Sequence, residues 1–549
     1  MCSEASFLNS GFGTYAKEIL SRLHATGKYK IAEFASYGFV NDPRDKDIPW
    51  RYYANAVRDD DPRHQEYSSR PDNQFGRWRF EKTLLDFRPD VVIDVRDYWM
   101  SSYQAISPLR NFFHWILMPT VDSEPQQEEW IDTFMSADAI FTYSDWGADV
   151  LKKQSNNNIN YIDTVSPGVN LDIFNINNNK NNIKESLGLP ADSIVIGSVM
   201  RNQKRKLIPE LLYSFRKLLD ILEKENNQLG KNIFLYLHTS YPDAGWDIPE
   251  LLKQTRLSNR VVFTYYCAKC GKTKASTFSH PCKPCPSCGE NIFRFPSVTN
   301  GLSQQRLAEI YNCFDLYVQY SICEGFGMPQ VEAAACGVPV ITVNYSAMCD
   351  IVNKLHAYAV EPAARFKELE TKAIRVYPDN NQLVQYIIDY INMPSSIQNK
   401  KRSDIRELTE KYYNWDHISQ KWEKYLDELD GSGYRSDWNK DINFMNPIEE
   451  NIPKNKKDYF GSTINICVNN IKDIEKISSM MILNMSKDAD YGFTQSGTSF
   501  QSFTYKDLLN NLSSLVNNNN QAETVRSQGI KFDDDFIKYA HMKDDGDDE

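Results

Sequence analysis

The sequence predicts an α/β protein of two Rossmann-like domains, on three observations. At 549 residues the chain exceeds what one hydrophobic core organises, so at least two domains are required. Short β-branched runs alternate with stretches of helical periodicity from residue 30 to 165, and the same alternation restarts at Ile194. No apolar run approaches the length of a membrane span, and the first eight residues lack the basic start and apolar core of a signal peptide. A soluble, cytoplasmic protein is expected.

In the amino-terminal domain, residues 1–170, candidate strands are 30–34, 91–95, 114–118, 139–143 and 161–165, with helices at 78–87 and 147–153 between them. Only nine residues precede Ser10 and they form no convincing buried strand, so the first strand is expected to be short or missing. The second domain, 171–400, has candidate strands at 194–199, 233–237, 261–265, 316–319 and 338–343. Residues 401–430 read as a closing helix, with apolar positions at Trp415, Trp422 and Tyr425. From 431 to 549 the chain is asparagine-rich and acidic, with little apolar periodicity, and is expected to be partly disordered.

A net charge of −11 and a pI near 5.4 argue against nucleic acid or an anionic membrane as the main partner. Five of the eleven cysteines cluster between Cys267 and Cys288, which suits reduced thiols and a metal rather than a disulfide framework. Cys267-Ala-Lys-Cys270-Gly271 and Cys285-Pro-Ser-Cys288-Gly289 are two knuckles fourteen residues apart, the spacing of a structural zinc ribbon inserted at 265–296. Four thiolates close the coordination shell, so Zn²⁺ on Cys267, Cys270, Cys285 and Cys288 would hold the insertion together without taking part in chemistry. His280 and Cys282 are spare donors.

Glu324 and Glu332 stand eight positions apart around Gly325-Phe326-Gly327-Met328-Pro329. The glycines let a backbone approach a ligand, and Pro329 starts a helix, expected over 329–336, whose N–H groups and dipole face the turn. Carboxylates at that spacing can each grip vicinal hydroxyls on either side of the helix start. Upstream, the strand 194–199 leads into Arg201-Asn-Gln-Lys-Arg-Lys206. Two cations at the carboxyl end of a central strand can neutralise a departing diphosphate. Near the amino end, Ser10-Gly11-Phe12-Gly13 opens a helix, and Gly168-Val169-Asn170 falls between the two domains.

Taken in order, these segments resemble the retaining glycosyltransferases of the GT-B fold, group 1 (family 4) type, over roughly residues 8 to 430. The resemblance implies two facing Rossmann-like domains and transfer of a sugar from a nucleotide-sugar donor to an acceptor hydroxyl with retention of configuration. It assigns Arg201, Lys206 and Glu324 to catalysis. Gly11, Gly13, Gly325, Phe326, Gly327, Met328 and Glu332 fall to donor binding. It implies no catalytic metal. Relatives carry a histidine at the end of an amino-domain strand; His114 stands at a strand start, so Asp122 or Thr120 is the candidate for that place, with Asp97 a further cleft candidate. Tyr345 to Asp350 replace the family's Gly-Gly before an acid, which bears on sugar selectivity. The acceptor, whether glycan, lipid or protein, is not specified. Competing readings are an epimerase or phosphorylase of the same fold, or a non-catalytic zinc-ribbon protein using Lys269, Lys272, Lys274, Lys283 and Arg294. The paired cations and carboxylates favour transfer.

Overall fold

A computed structural model describes residues 1–279, 284–290, 293–297, 300–369, 371–430 and 438. His280, Cys282 and, apart from Trp438, the extension 431–549 lie outside the described residues. The described residues divide into two units: Met1–Arg58, Ile93–Tyr98 and Ile116–Leu429 belong to one; Asp59–Val92, Trp99–Trp115, Asp430 and Trp438 belong to the other.

The first unit is built on two sheets. The strands of the first are β1 (Cys2–Glu4), β2 (Ala32–Phe39), β3 (Arg51–Ala56), β4 (Val91–Arg96), β5 (His114–Pro119), β6 (Ala139–Thr142) and β7 (Tyr161–Thr164), in the order 3-2-1-4-5-6-7. This is a doubly wound order, in which strand carboxyl ends line the ligand crevice. The doubtful first strand is therefore present, three residues long and central, with Cys2 opposite Phe34 of β2 and Asp94 of β4. Cys-Ser-Glu carries no β-branched residue, so burial between two neighbours rather than propensity makes it a strand. β3, Arg-Tyr-Tyr-Ala-Asn-Ala, the edge strand beside β2, is not among the predicted strands.

The second sheet contains β8 (Ile194–Val199), β9 (Ile233–His238), β10 (Val261–Cys267), β11 (Thr273–Thr277), β12 (Phe293–Arg294), β13 (Leu316–Gln319), β14 (Val340–Val343) and β15 (Tyr358–Val360). Its order is 11-10-9-8-13-14-15, with β12 also on β10. The strands from β8 to β10 and from β13 to β15 pair in parallel, whereas β11 and β12 run antiparallel on β10 and carry the cysteine insertion outward from the sheet edge. The long helix Ile208–Lys224 buries Leu211, Leu212, Phe215, Leu218 and Leu222 against the sheet. A hairpin absent from the sequence reading, β16 (Pro362–Lys367) with β17 (Ile374–Pro378), follows β15.

The segment expected as one closing helix is two, Ser395–Tyr412 and Trp415–Glu428, because Asn414 leaves helical geometry and caps the second through Asp416 N–H at 2.8 Å. The second packs on helix Gly11–Ala25: Trp422 Nε1 donates to the Tyr15 hydroxyl at 2.8 Å, and Trp415 meets the same ring edge-on at 5.5 Å. Gly168 is required where the chain passes this helix, since a Cβ there would lie 2.8 Å from the Trp415 ring.

The second unit contains helix Phe80–Phe87, whose Phe80 meets Tyr103 edge-on at 5.4 Å; Trp438 Nε1 donates to Pro89 O at 2.9 Å. Among the described residues no helix is long and apolar enough to cross a membrane.

Candidate functional site

The strand β8 ends at Val199, and the turn after it is stitched to the loop after β13. Ile322 N–H donates to Arg205 O at 3.0 Å, and the Ser321 hydroxyl donates to the same oxygen at 3.1 Å. This brings the basic turn and Glu324 together. Lys206 Nζ bonds one carboxylate oxygen of Glu324, Arg205 Nη1 donates to the other at 2.9 Å, and Gln319 Nε2 adds a third donor at 2.8 Å. The Glu324 N–H is accepted by the Ser346 hydroxyl at 2.9 Å.

Burial would raise the pKa of the Glu324 carboxyl, but Lys206 and Arg205 outweigh it and hold the carboxyl at about 2. Burial pushes Lys206 down to about 8 against the opposing pull of Glu324. At neutral pH the site therefore holds one carboxylate between two cations, a net positive charge beside the glycine turn.

That turn is built as the spacing predicts. Gly327 has φ +88°, a left-handed conformation that a side chain would strain, and it precedes the helix Met328–Ala335 with Pro329 in the first turn. No side chain caps this helix; Pro329 has no N–H, and the Gln330 N–H donates to Gly327 O at 3.1 Å, so what the helix start offers a ligand is chiefly its positive dipole end. Glu332, one turn inside and half-buried, accepts from the Tyr311 hydroxyl at 2.7 Å. Burial lifts its carboxyl to about 7. Gly325 is where the two halves approach: a Cβ there would lie 2.3 Å from Thr120 Cγ2 at the end of β5. Gly11, at the start of helix Gly11–Ala25, faces the same turn, with Met328 Sδ 3.9 Å from where its Cβ would stand.

Several sequence candidates lie elsewhere than expected. Arg201 pairs with Asp243 rather than Glu324: its Nε and Nη2 form a two-pronged pair with Asp243 at 2.8 and 2.9 Å, and Arg205 stands beside the carboxylate. Only the fold shows which cation reaches inward. Asp122 pairs with Arg375 of β17 at 3.0 Å, and Arg375 continues to Glu368 at 2.8 Å. Gly13 serves packing, because a Cβ would meet Ala5 O at 2.7 Å, while Phe326 is buried against the Tyr413 ring at 5.7 Å. His114 does begin its strand. Asp350 caps a helix of the first sheet's half through the N–H groups of Asp145 and Trp146.

At the far end of the second sheet, the Sγ atoms of Cys267, Cys270, Cys285 and Cys288 lie within 4.8 Å of one another. Two of their separations are 3.6 and 3.7 Å. The edge of a sulfur tetrahedron with metal–sulfur bonds of about 2.3 Å is about 3.8 Å, which these two separations match. Gly271 and Gly289, at φ +68° and +71°, make the knuckle turns.

The two parallel sheets and the helices around them form an α/β fold of the GT-B glycosyltransferase type. Residues 297–393 match the family model of glycosyl transferases group 1. A D-inositol 3-phosphate glycosyltransferase of Streptomyces bingchenggensis is 25% identical over 227 residues, which are 41% of this chain and 42% of that protein. The chain thus aligns with less than half of the length of that relative. Among solved structures, sucrose-phosphate synthase of Thermosynechococcus elongatus is similar with a TM-score of 0.54 at 18% identity, covering 77% of this chain and 94% of that one. An Anabaena protein solved in complex with UDP and glucose has a TM-score of 0.50 at 13% identity over 75% of this chain and 96% of its own.

Proposed function

We propose that this chain is a retaining glycosyltransferase that moves a sugar from a nucleotide-sugar donor to an acceptor hydroxyl. The observation that carries this reading is the buried Glu324 carboxylate held between Lys206 and Arg205 beside an uncapped helix start. In this reading the donor diphosphate lies against the positive end of the helix that follows Gly327, with Lys206 and Arg205 neutralising the charge that grows as the glycosidic bond loosens. Glu324, kept ionised, accepts from sugar hydroxyls, and Glu332 does so for the ribose once its proton is displaced. Acceptor attack on the face the diphosphate leaves, with the leaving phosphate oxygen taking the acceptor proton, retains configuration. Neither carboxylate has to form a covalent bond.

UDP is supported as the nucleotide by the UDP complex of the Anabaena protein. The cysteine cluster fits a structural Zn²⁺ that would tie the insertion together; no step of the transfer passes through it.

Melting the full chain with UDP-, GDP- and ADP-sugars tests the donor, since a ligand of the folded state raises Tm. Proton NMR of the anomeric centre in the first product then reads configuration. No shift with any sugar nucleotide, or an inverted product, would defeat this reading.

A further inference from the structure

We propose that Gln319, itself set by Tyr317, is a positioning residue for the transfer: it turns the Glu324 carboxylate so that Oε2 offers a lone pair to one hydroxyl of the donor sugar. The inference rests on the transfer reading and deepens its donor side. Tyr317 and Gln319 stand two apart on β13, so both side chains leave the same face of a central strand, between β8 and β14. Both are wholly buried. The Tyr317 hydroxyl donates to Gln319 Oε1 at 2.6 Å and lies 3.1 Å from Val199 O at the end of β8. Gln319 Nε2 then donates to Glu324 Oε1 at 2.8 Å.

The chemistry of the partners fixes the direction of this row. Val199 O and an ionised Glu324 can only accept, so the amide turns its NH2 to the carboxylate and its oxygen to the phenol, which supplies the proton. Burial first, then Glu324 and Glu332, lift the Tyr317 phenol well above its ordinary range against the Val199 carbonyl, so it stays a donor. Packing alone does not ask for an amide here, because a buried polar group costs free energy unless it is hydrogen-bonded. On the carboxylate, Oε1 takes Lys206 Nζ and Gln319 Nε2, while Oε2 takes Arg205 Nη1 at 2.9 Å. A carboxylate has about four acceptor positions, so among the described residues one on Oε2 is left for a ligand. Without the Gln319 donor the carboxylate can turn between its two cations, and that position is no longer held toward the sugar. The same row reaches the second carboxylate: the Tyr311 ring lies 6.0 Å from that of Tyr317, and its hydroxyl bonds Glu332 at 2.7 Å. In the transfer reading Glu332 meets the ribose, so that end supplies a control.

The test uses the full chain, the sugar nucleotide that raises Tm most, and its free nucleoside diphosphate, which lacks the transferred sugar. Calorimetric titration gives Kd for each, and nucleotide release gives kcat and KM. Gln319→Leu is expected to lower kcat/KM and to weaken the sugar nucleotide by about tenfold, about 1.4 kcal/mol, while moving the diphosphate by less than about twofold. Tyr317→Phe should act in the same direction to a smaller extent, and it should add nothing in Gln319→Leu, because the phenol works through the amide. Tyr311→Phe should weaken both ligands alike. Equal weakening of the two ligands in Gln319→Leu, weakening of neither, losses that simply add in the double variant, or the same sugar-selective loss in Tyr311→Phe overturns the inference while leaving the donor reading intact. Should Gln319→Leu fail to fold, Tyr317→Phe decides by the same comparison. Absence of any donor-induced shift in the unaltered chain defeats the transfer reading first, and this inference with it.

Discussion

The Asp350 carboxylate accepts the backbone N–H of Asp145 at 2.8 Å with one oxygen and that of Trp146 at 3.1 Å with the other. An acid from the second sheet's half thereby caps a helix of the first sheet's half, and Lys354 bonds both Asp350 and Asp145 at 2.9 and 2.8 Å. Removing the carboxylate leaves two helix N–H groups without this partner and a lysine facing only Asp145. Asp350→Ala should therefore cost about 1–2 kcal/mol, the upper range for a helix cap. Urea unfolding measures this, and a change below a few tenths would show the link to be incidental.

Arg205 and Arg201 should separate by kinetics. The first reaches Glu324 at 2.9 Å, while the second is held by Asp243. If the leaving diphosphate is stabilised from where Arg205 stands, Arg205→Ala should lower kcat by about 10²–10³, the loss typical of one donor to developing charge. Arg201→Ala should cost less than about tenfold. The opposite ranking would mean that donor binding swings Arg201 inward.

Glu332 gives a pH signature. Burial raises its folded-state pKa to about 7, so in the ligand-free protein it is largely protonated below that value. A ribose hydroxyl that donates to the carboxylate favours the ionised form, so binding must expel the proton. Donor affinity should then be full above about pH 7 and fall toward tenfold per unit as pH drops below it. Calorimetric titration from pH 5.5 to 8.5 checks this; in Glu332→Gln the slope should vanish along with much of the affinity.

What was legible in the sequence were features fixed by local chemistry. The glycine turn with Pro329, the β-branched runs of β8 and β14 and the two cysteine knuckles each carry their conformation in a few residues. The central strand β1 was not legible, since Cys-Ser-Glu becomes a strand only through β2 and β4. Nor were the partners of the charged turn. Lys204, Arg205 and Lys206 are alike in one dimension, and the bond from Ile322 N–H to Arg205 O decides which side chains meet Glu324. The Asp122–Arg375 pair joins residues far apart in sequence across a hairpin that gave no signal of its own.

The cysteine site makes a claim about stability rather than rate. Cys267 sits at the end of β10, in the same strand as Phe263 and Tyr265, which pack on Phe295 at 5.8 and 4.5 Å. The insertion thus shares a core with the sheet, and the metal should matter to that edge without reaching the nucleotide turn. Purified protein is expected to carry one zinc per chain. Cys285→Ser should abolish it and lower Tm, because binding free energy at such a site is folding free energy. The donor-induced Tm shift should persist in the metal-depleted protein at temperatures where it stays folded, since Arg205, Lys206 and Glu324 are tied through β8 and β13 instead. Metal analysis alongside melting curves decides the matter: full zinc content in Cys285→Ser would remove that cysteine from the ligand set, and loss of the donor shift on chelation would tie the metal to substrate binding.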